Sequence, residues 1–148
     1  MKTILTVEES QRLIELGVDR KLASTICINF NGTCAYVSGE ESETLRDCVN
    51  GQYYTEECSC FSLADILSIL PKEINHQCLT IISTDKLYFA QYGKWDKEYI
   101  HSWEQTFIPN DDCGKNSSPE LIDALNQLLI WCLEQKNQTK GGLIWEHL

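Results

Sequence analysis

The clearest periodic signal lies in the middle of the chain. Leu63, Ile66, Leu67 and Leu70 recur at i, i+3, i+4 and i+7, the spacing of one helix face. Ser62 stands where an N-cap belongs, and Asp65, three positions on, is its capping-box partner. Pro71 lacks a backbone donor and pushes Leu70 out of helical geometry, so the helix stops there. The period then changes to two. Cys78 to Ser83 and Leu87 to Tyr92 read as strands, with Leu79 and Ile81 on one side of the first pleat and Thr80 and Ile82 on the other. Thr84, Asp85 and Lys86 suit the turn between them. Phe61 to Tyr92 is thus a unit able to seed a core, since each large apolar side chain buried is worth roughly 1.5–3 kcal/mol. Packing is the ordinary role of every residue in it.

The same reading extends outward. Thr6 and Glu9 form a capping box for a helix running to about Leu16, and Gly17 is its stop. Asp19 caps a short second helix over Arg20 to Ser24. Two helices around a glycine turn invite a helix-turn-helix reading, but the second is short and offers only Arg20 and Lys21. Asn31-Gly32 between strand-like runs predicts a two-residue hairpin, pairing Phe30 with Thr33, Ile28 with Ala35 and Ile26 with Val37. That mostly apolar face is expected to meet the core. Cys27, Asn29, Cys34 and Tyr36 would face a mixed environment.

Ser38 to Glu57 is acidic and begins as a solvated loop; Asn50-Gly51 predicts a second, weaker hairpin through Tyr53 and Tyr54. Trp95, Tyr99, Trp103 and Phe107 recur every four residues, which makes an aromatic stripe on a helix or one face of a strand. Pro109 to Ser117 reads as a loop. Ser118 caps the last helix, Pro119 takes its first turn and Glu120 favours its positive end. Leu121, Ile122, Leu125, Leu128, Leu129, Cys132 and Leu133 give it a broad apolar stripe, with Ile130 and Trp131 outside. The tail carries a Gly141-Gly142 break and then Leu143, Ile144 and Trp145. These elements predict an α+β fold: an antiparallel sheet of hairpins, helices packed on one face, and a long C-terminal helix.

Composition bounds the function. A chain of 148 residues suits a single domain over 1–148, and 43% hydrophobic with 23% charged residues is an ordinary globular balance. No apolar run approaches the roughly 20 residues of a membrane span. The N-terminus lacks the pattern of a signal peptide, which predicts a cytoplasmic protein. Net charge is −10, with 12 scattered lysines and arginines, so direct nucleic-acid binding is not expected. The eight cysteines are then expected to be reduced thiols, several of them buried.

Three blocks carry a resemblance. They are LTVEESQRLIELGVDRKLAS (5–24), FSLADILSILPKEI (61–74) and PELIDALNQLLIWCLEQK (119–136). Together they resemble a family of small uncharacterised proteins of Bacteroides-type gut bacteria, their prophages and other mobile elements. The resemblance covers about a third of the chain and leaves out 38–60 and the tail after Lys136. It implies a bacterial or phage origin, a cytoplasmic location and an α+β core. It implies no activity and no catalytic residues.

Few residues suggest chemistry. Cys58-x-Cys60 with His76-x-Cys78 supplies four ligands of the type zinc takes. The spacing is poor for a zinc knuckle, and the intervening helix adds about 13 Å at 1.5 Å per residue. Cys78 beside His76 on one strand face is the nearest approach to a thiol–imidazole nucleophile pair. His101 and His147 lie in no motif, and the carboxylate pairs Glu56-Glu57 and Asp111-Asp112 read as solvated loop residues. Phosphate loops, dinucleotide fingerprints and nucleophile elbows are absent. No cofactor is expected, with zinc as the alternative. The favoured expectation is a non-enzymatic accessory protein that binds another protein or itself, with Trp103, Trp131 and Trp145 as aromatic anchors. A zinc-stabilised module and an unrecognised enzyme with a polar pocket around His76, Cys78 or His101 are the alternatives.

Overall fold

A computed structural model describes residues 1–30, 33–38, 54–95, 107–109 and 116–138. The architecture is α+β, and every described ladder is antiparallel. The backbone gathers into two compact units, Met1–Leu67 and Ser68–Leu148.

In the first unit, helix α1 (Val7–Glu15) starts at the Thr6 cap with both halves of the capping box made. The Glu9 N–H donates to Thr6 Oγ1 at 3.2 Å, and the Thr6 N–H donates to Glu9 Oε1 at 3.0 Å. Gly17 follows with φ +112°, the left-handed region glycine enters without strain. Asp19 caps a single 3₁₀ turn, Arg20–Leu22, where the sequence suggested a short helix. One such turn is too short to serve as a recognition helix.

Strands β1 (Thr25–Phe30) and β2 (Thr33–Ser38) pair in the register the Asn31-Gly32 signal predicts: Phe30 opposite Thr33, Ile28 opposite Ala35, Ile26 opposite Val37. Strand β3 (Tyr54–Cys60) pairs with the other edge of β1, giving the order β2-β1-β3. Residues 3–5 then extend beside 61–63, through Leu5 N–H to Phe61 O at 2.9 Å and Leu63 N–H to Thr3 O at 2.8 Å. Leu5, Leu13, Cys60, Phe61 and Ile66 are fully buried.

The inward face of β1 differs from expectation. Cys27 is 3% exposed, whereas Ile26 is half-buried. Helix α1 packs against β3, and its buried Ser10 accepts the Phe61 N–H at 3.1 Å. Because Cys27 faces Cys58 and Thr25 faces Cys60 across the ladder, the cysteines share one face of the sheet. Small sulfur side chains pack there as hydrophobes.

Helix α2 (Leu63–Ile69) spans the boundary between the units. Its capping box is complete, with Ser62 N–H donating to Asp65 Oδ2 and Asp65 N–H to Ser62 Oγ.

The second unit holds β4 (Glu73–Ile74), β5 (Gln77–Ser83), β6 (Tyr88–Trp95) and β7 (Phe107–Pro109) in that spatial order, with β8 (Ser117–Ser118) also paired to β6. Helix α3 (Leu121–Gln138), 18 residues long, packs on β6 and β8. Ser118 Oγ accepts the Glu120 N–H at 3.2 Å, but Ser118 belongs to β8 and the helix begins at Leu121, so Glu120 holds the N-cap position in place of the expected Ser118. Ala90, Tyr92, Ile122, Leu125, Leu128, Leu129 and Cys132 are fully buried. The Tyr92 hydroxyl keeps a partner inside by donating to Pro71 O at 2.7 Å.

Several expectations change. The antiparallel strands form two sheets, one per unit, where a single sheet was anticipated. Glu56 and Glu57 are strand residues of β3, opposite Asn29 and Ile28, and not loop residues. Trp95 lies directly opposite Phe107 in the β6–β7 ladder. The residues between them, on which the helix-or-strand reading of the aromatic series turns, lie outside the described residues. Asn50, Gly51, Tyr53, Tyr99, Asp111 and Asp112 lie outside the described residues. Among the described residues no helix is long and apolar enough to cross a membrane.

Candidate functional site

The candidate zinc ligands are drawn from both units. Cys58 and Cys60 sit on β3 of the first unit, and His76 and Cys78 belong to the second. Among the described residues, no group of three or more His, Cys, Asp or Glu side chains is placed to hold a metal ion.

The His76–Cys78 pair is also recast. His76 is not a strand residue. Asn75 (φ 48°) and His76 (φ 65°) are the centre of a two-residue hairpin between β4 and β5, with Ile74 opposite Gln77. Two consecutive positive φ values are the signature of a type I′ turn, which Asn opens readily. The His76 side chain is fully exposed and its Nδ1 lies 3.6 Å from Glu73 Oε1. Cys78 instead directs its thiol to Gly93 O at 3.5 Å. A general base aimed at solvent from a turn, and a thiol aimed at a backbone carbonyl, do not form a nucleophile pair.

The aromatic candidates divide. Trp131 is half-buried on α3, beside but outside the buried stripe. Trp103, Trp145 and His101 lie outside the described residues.

The first unit does present a built concavity. An open, largely apolar groove of about 460 Å³ is lined by Thr3, Ile4, Thr25, Ser62, Leu63, Ala64 and Leu67. One wall is the N-terminal extended segment, held by its backbone bonds to 61–63. The other is the first turn of α2, where Leu63 and Leu67 stand at i and i+4. A polar brace fixes its rim. Asp65, 9% exposed, accepts at Oδ2 from the backbone and hydroxyl of Ser24, each at 2.9 Å, and from Ser62 N–H at 2.9 Å. The Ser24 and Ser62 hydroxyls lie 3.3 Å apart. Three donors converging on one carboxylate satisfy its charge, so this cluster locks the start of β1 to the cap of α2.

A second cluster is made of sulfur. Cys27 is disulfide-bonded, against the expectation of reduced thiols, whereas Cys58, Cys60, Cys78 and Cys132 are in no disulfide. Cys60 is fully buried. Burial pushes its thiol above the usual value, partly offset by hydrogen bonds from the Ser10 hydroxyl and the Cys27 N–H.

Comparison with protein-family models, curated proteins and solved structures finds no match. Sequence reasoning missed the groove. Leu63 and Leu67 were visible as helix positions, but Thr3, Ile4 and Thr25 join them through pairings about 40 to 60 residues apart in the chain.

Proposed function

We propose that this chain is a non-enzymatic protein-binding protein, and that the groove of the first unit receives an apolar side chain of its partner. The groove carries the reading. Its lining combines the half-buried apolar side chains of Ile4, Leu63 and Leu67 with the polar Thr3, Thr25 and Ser62, the mixture found where an interface core meets its polar border. Its walls are braced before binding, which lowers the ordering cost of association. Trp131, half-buried on α3, is a second contact surface in the same role. The acidic charge of −10 disfavours nucleic acid as the partner. The resemblance supports a bacterial or prophage setting and a cytoplasmic location.

Affinity capture from a host lysate tests the reading when wild type is compared with Leu63→Glu, which puts a carboxylate in the groove lining. Loss of roughly tenfold in recovered partner, equivalent to 1.4 kcal/mol, is the expected result. Sedimentation of the purified chain reports whether the partner is a second copy. Equal recovery and equal sedimentation for a folded Leu63→Glu variant would remove the groove from any interface.

A further inference from the structure

Strand β5 of the second unit ends in an open edge. Among the described residues, β4 pairs with β5 only at Gln77 and Cys78, and the Leu79 N–H donates to Lys72 O at 2.9 Å. The backbone groups of successive residues alternate between the two edges of a strand. Leu79, Ile81 and Ser83 therefore turn their N–H and C=O groups away from β6. Thr80, Ile82 and Thr84 turn theirs toward it, in keeping with the Thr84 N–H bond to Leu87 O at 2.9 Å. No described strand lies beyond Ile81 and Ser83. Ile81 and Ile82 point to opposite faces of the sheet, yet both are exposed, at 41% and 38%. Natural edges are usually blunted by charge, proline or a bulge. Residues 77–84 hold no charged residue and no proline, and the β5–β6 ladder runs without a register shift.

We propose that this edge pairs with the same edge of a second copy of the chain, antiparallel about a two-fold axis at Ile82. Only the outward-facing residues can exchange hydrogen bonds across it, which limits the register. An axis at Ile81 would set Leu79 opposite Ser83, but the Leu79 N–H is already spent on Lys72 O. An axis at Ile82 sets Ile81 opposite Ser83 of the second copy, each such pair exchanging both backbone bonds. It also stands Ile82 directly against its own equivalent and covers both exposed isoleucines. The open edge is as long as the segment that fills it. Lys72 bounds it at one end and the Thr84–Leu87 turn at the other, so the second copy's turn arrives where β4 begins. Lys72 and Glu73 stand at that end of β4, and Asp85 and Lys86 form the turn, so opposite signs meet at both ends of the pairing. A two-fold pairing uses up the edge and closes as a dimer, where a heterologous contact would risk a fibre. This surface is separate from the groove of the first unit.

Sedimentation equilibrium of the full chain over a concentration series tests the pairing. Physiological ionic strength is used, because repulsion between two chains of charge −10 opposes it and is screened by salt. The weight-average mass should rise from one chain toward two. Ile82→Lys sets like charges against each other at the axis and should weaken the dimer by roughly tenfold or more. The register is read separately by cross-linking. Under oxidation by diamide, Ile82→Cys should give a covalent dimer linked 82 to 82 on peptide mapping, absent from wild type. Ile81→Cys, opposite Ser83 of the second copy, should not link to itself. A wild-type chain that stays monomeric at every concentration overturns the proposal, and that result needs no variant to fold. An adduct of Ile82→Cys with another protein would in that case assign the edge to a foreign strand. A dimer that folded Ile82→Lys leaves intact, or equal self-linkage from 81 and 82, also overturns it.

Discussion

At the scale of single residues, the cap of α1 joins local structure to pH. Burial opposes the charge on Glu9. The Lys2 ammonium, 2.7 Å from its Oε1, and the hydrogen bonds with Thr6 outweigh that penalty and hold the carboxyl below the usual carboxylate value. A group whose folded pKa is depressed stabilises the fold above its unfolded value, here near pH 4.5. That contribution is lost as pH falls through the folded value. The gap in melting temperature between wild type and Glu9→Gln should therefore be constant near neutrality and shrink below pH 4.5. A gap that does not depend on pH would mean that the Glu9 charge is not coupled to folding. This cap was readable in the sequence because Thr6 and Glu9 are three residues apart and their geometry needs nothing else.

At the scale of elements, the same rule separates what was legible from what was not. The β1–β2 register followed from Asn31-Gly32, since a two-residue connection fixes every pair beyond it. The cap of α2 and the stripe of α3 followed from spacing alone. The β4–β5 turn did not, because Asn75-His76 lacks the glycine that normally marks such a turn. His76 holds φ 65° without that help. A left-handed position costs a non-glycine residue roughly 1–2 kcal/mol, part of which glycine returns through its freer unfolded state. His76→Gly should thus stabilise the protein by about 0.5–1 kcal/mol in urea unfolding. The fully exposed contact with Glu73 adds little to offset this. A destabilised variant would show that His76 contributes something the turn geometry does not explain.

At the scale of the molecule, the features that bear on function come from pairings between distant segments. The groove needs residues 3–4 beside 62–67, and the sulfur cluster needs β1 beside β3. Neither juxtaposition leaves a local trace, because an extended segment carries no mark of its eventual neighbour. The aromatic series failed for a related reason. A spacing of four is compatible with either period, so it gave no sign of the Trp95–Phe107 pairing. What sequence could supply was the class: α+β, acidic, and without the motifs that mark phosphate, dinucleotide or nucleophile-elbow chemistry.

The central claim is that the groove meets another protein. Ala64 is exposed and lines it, so a photo-reactive amino acid placed there samples its occupant. Irradiated host cells should yield one dominant covalent adduct from position 64, either with another protein or with a second copy of the chain. A probe at exposed Glu15 on α1 should not give it. Equal labelling from both positions, or no adduct from position 64, would contradict the account.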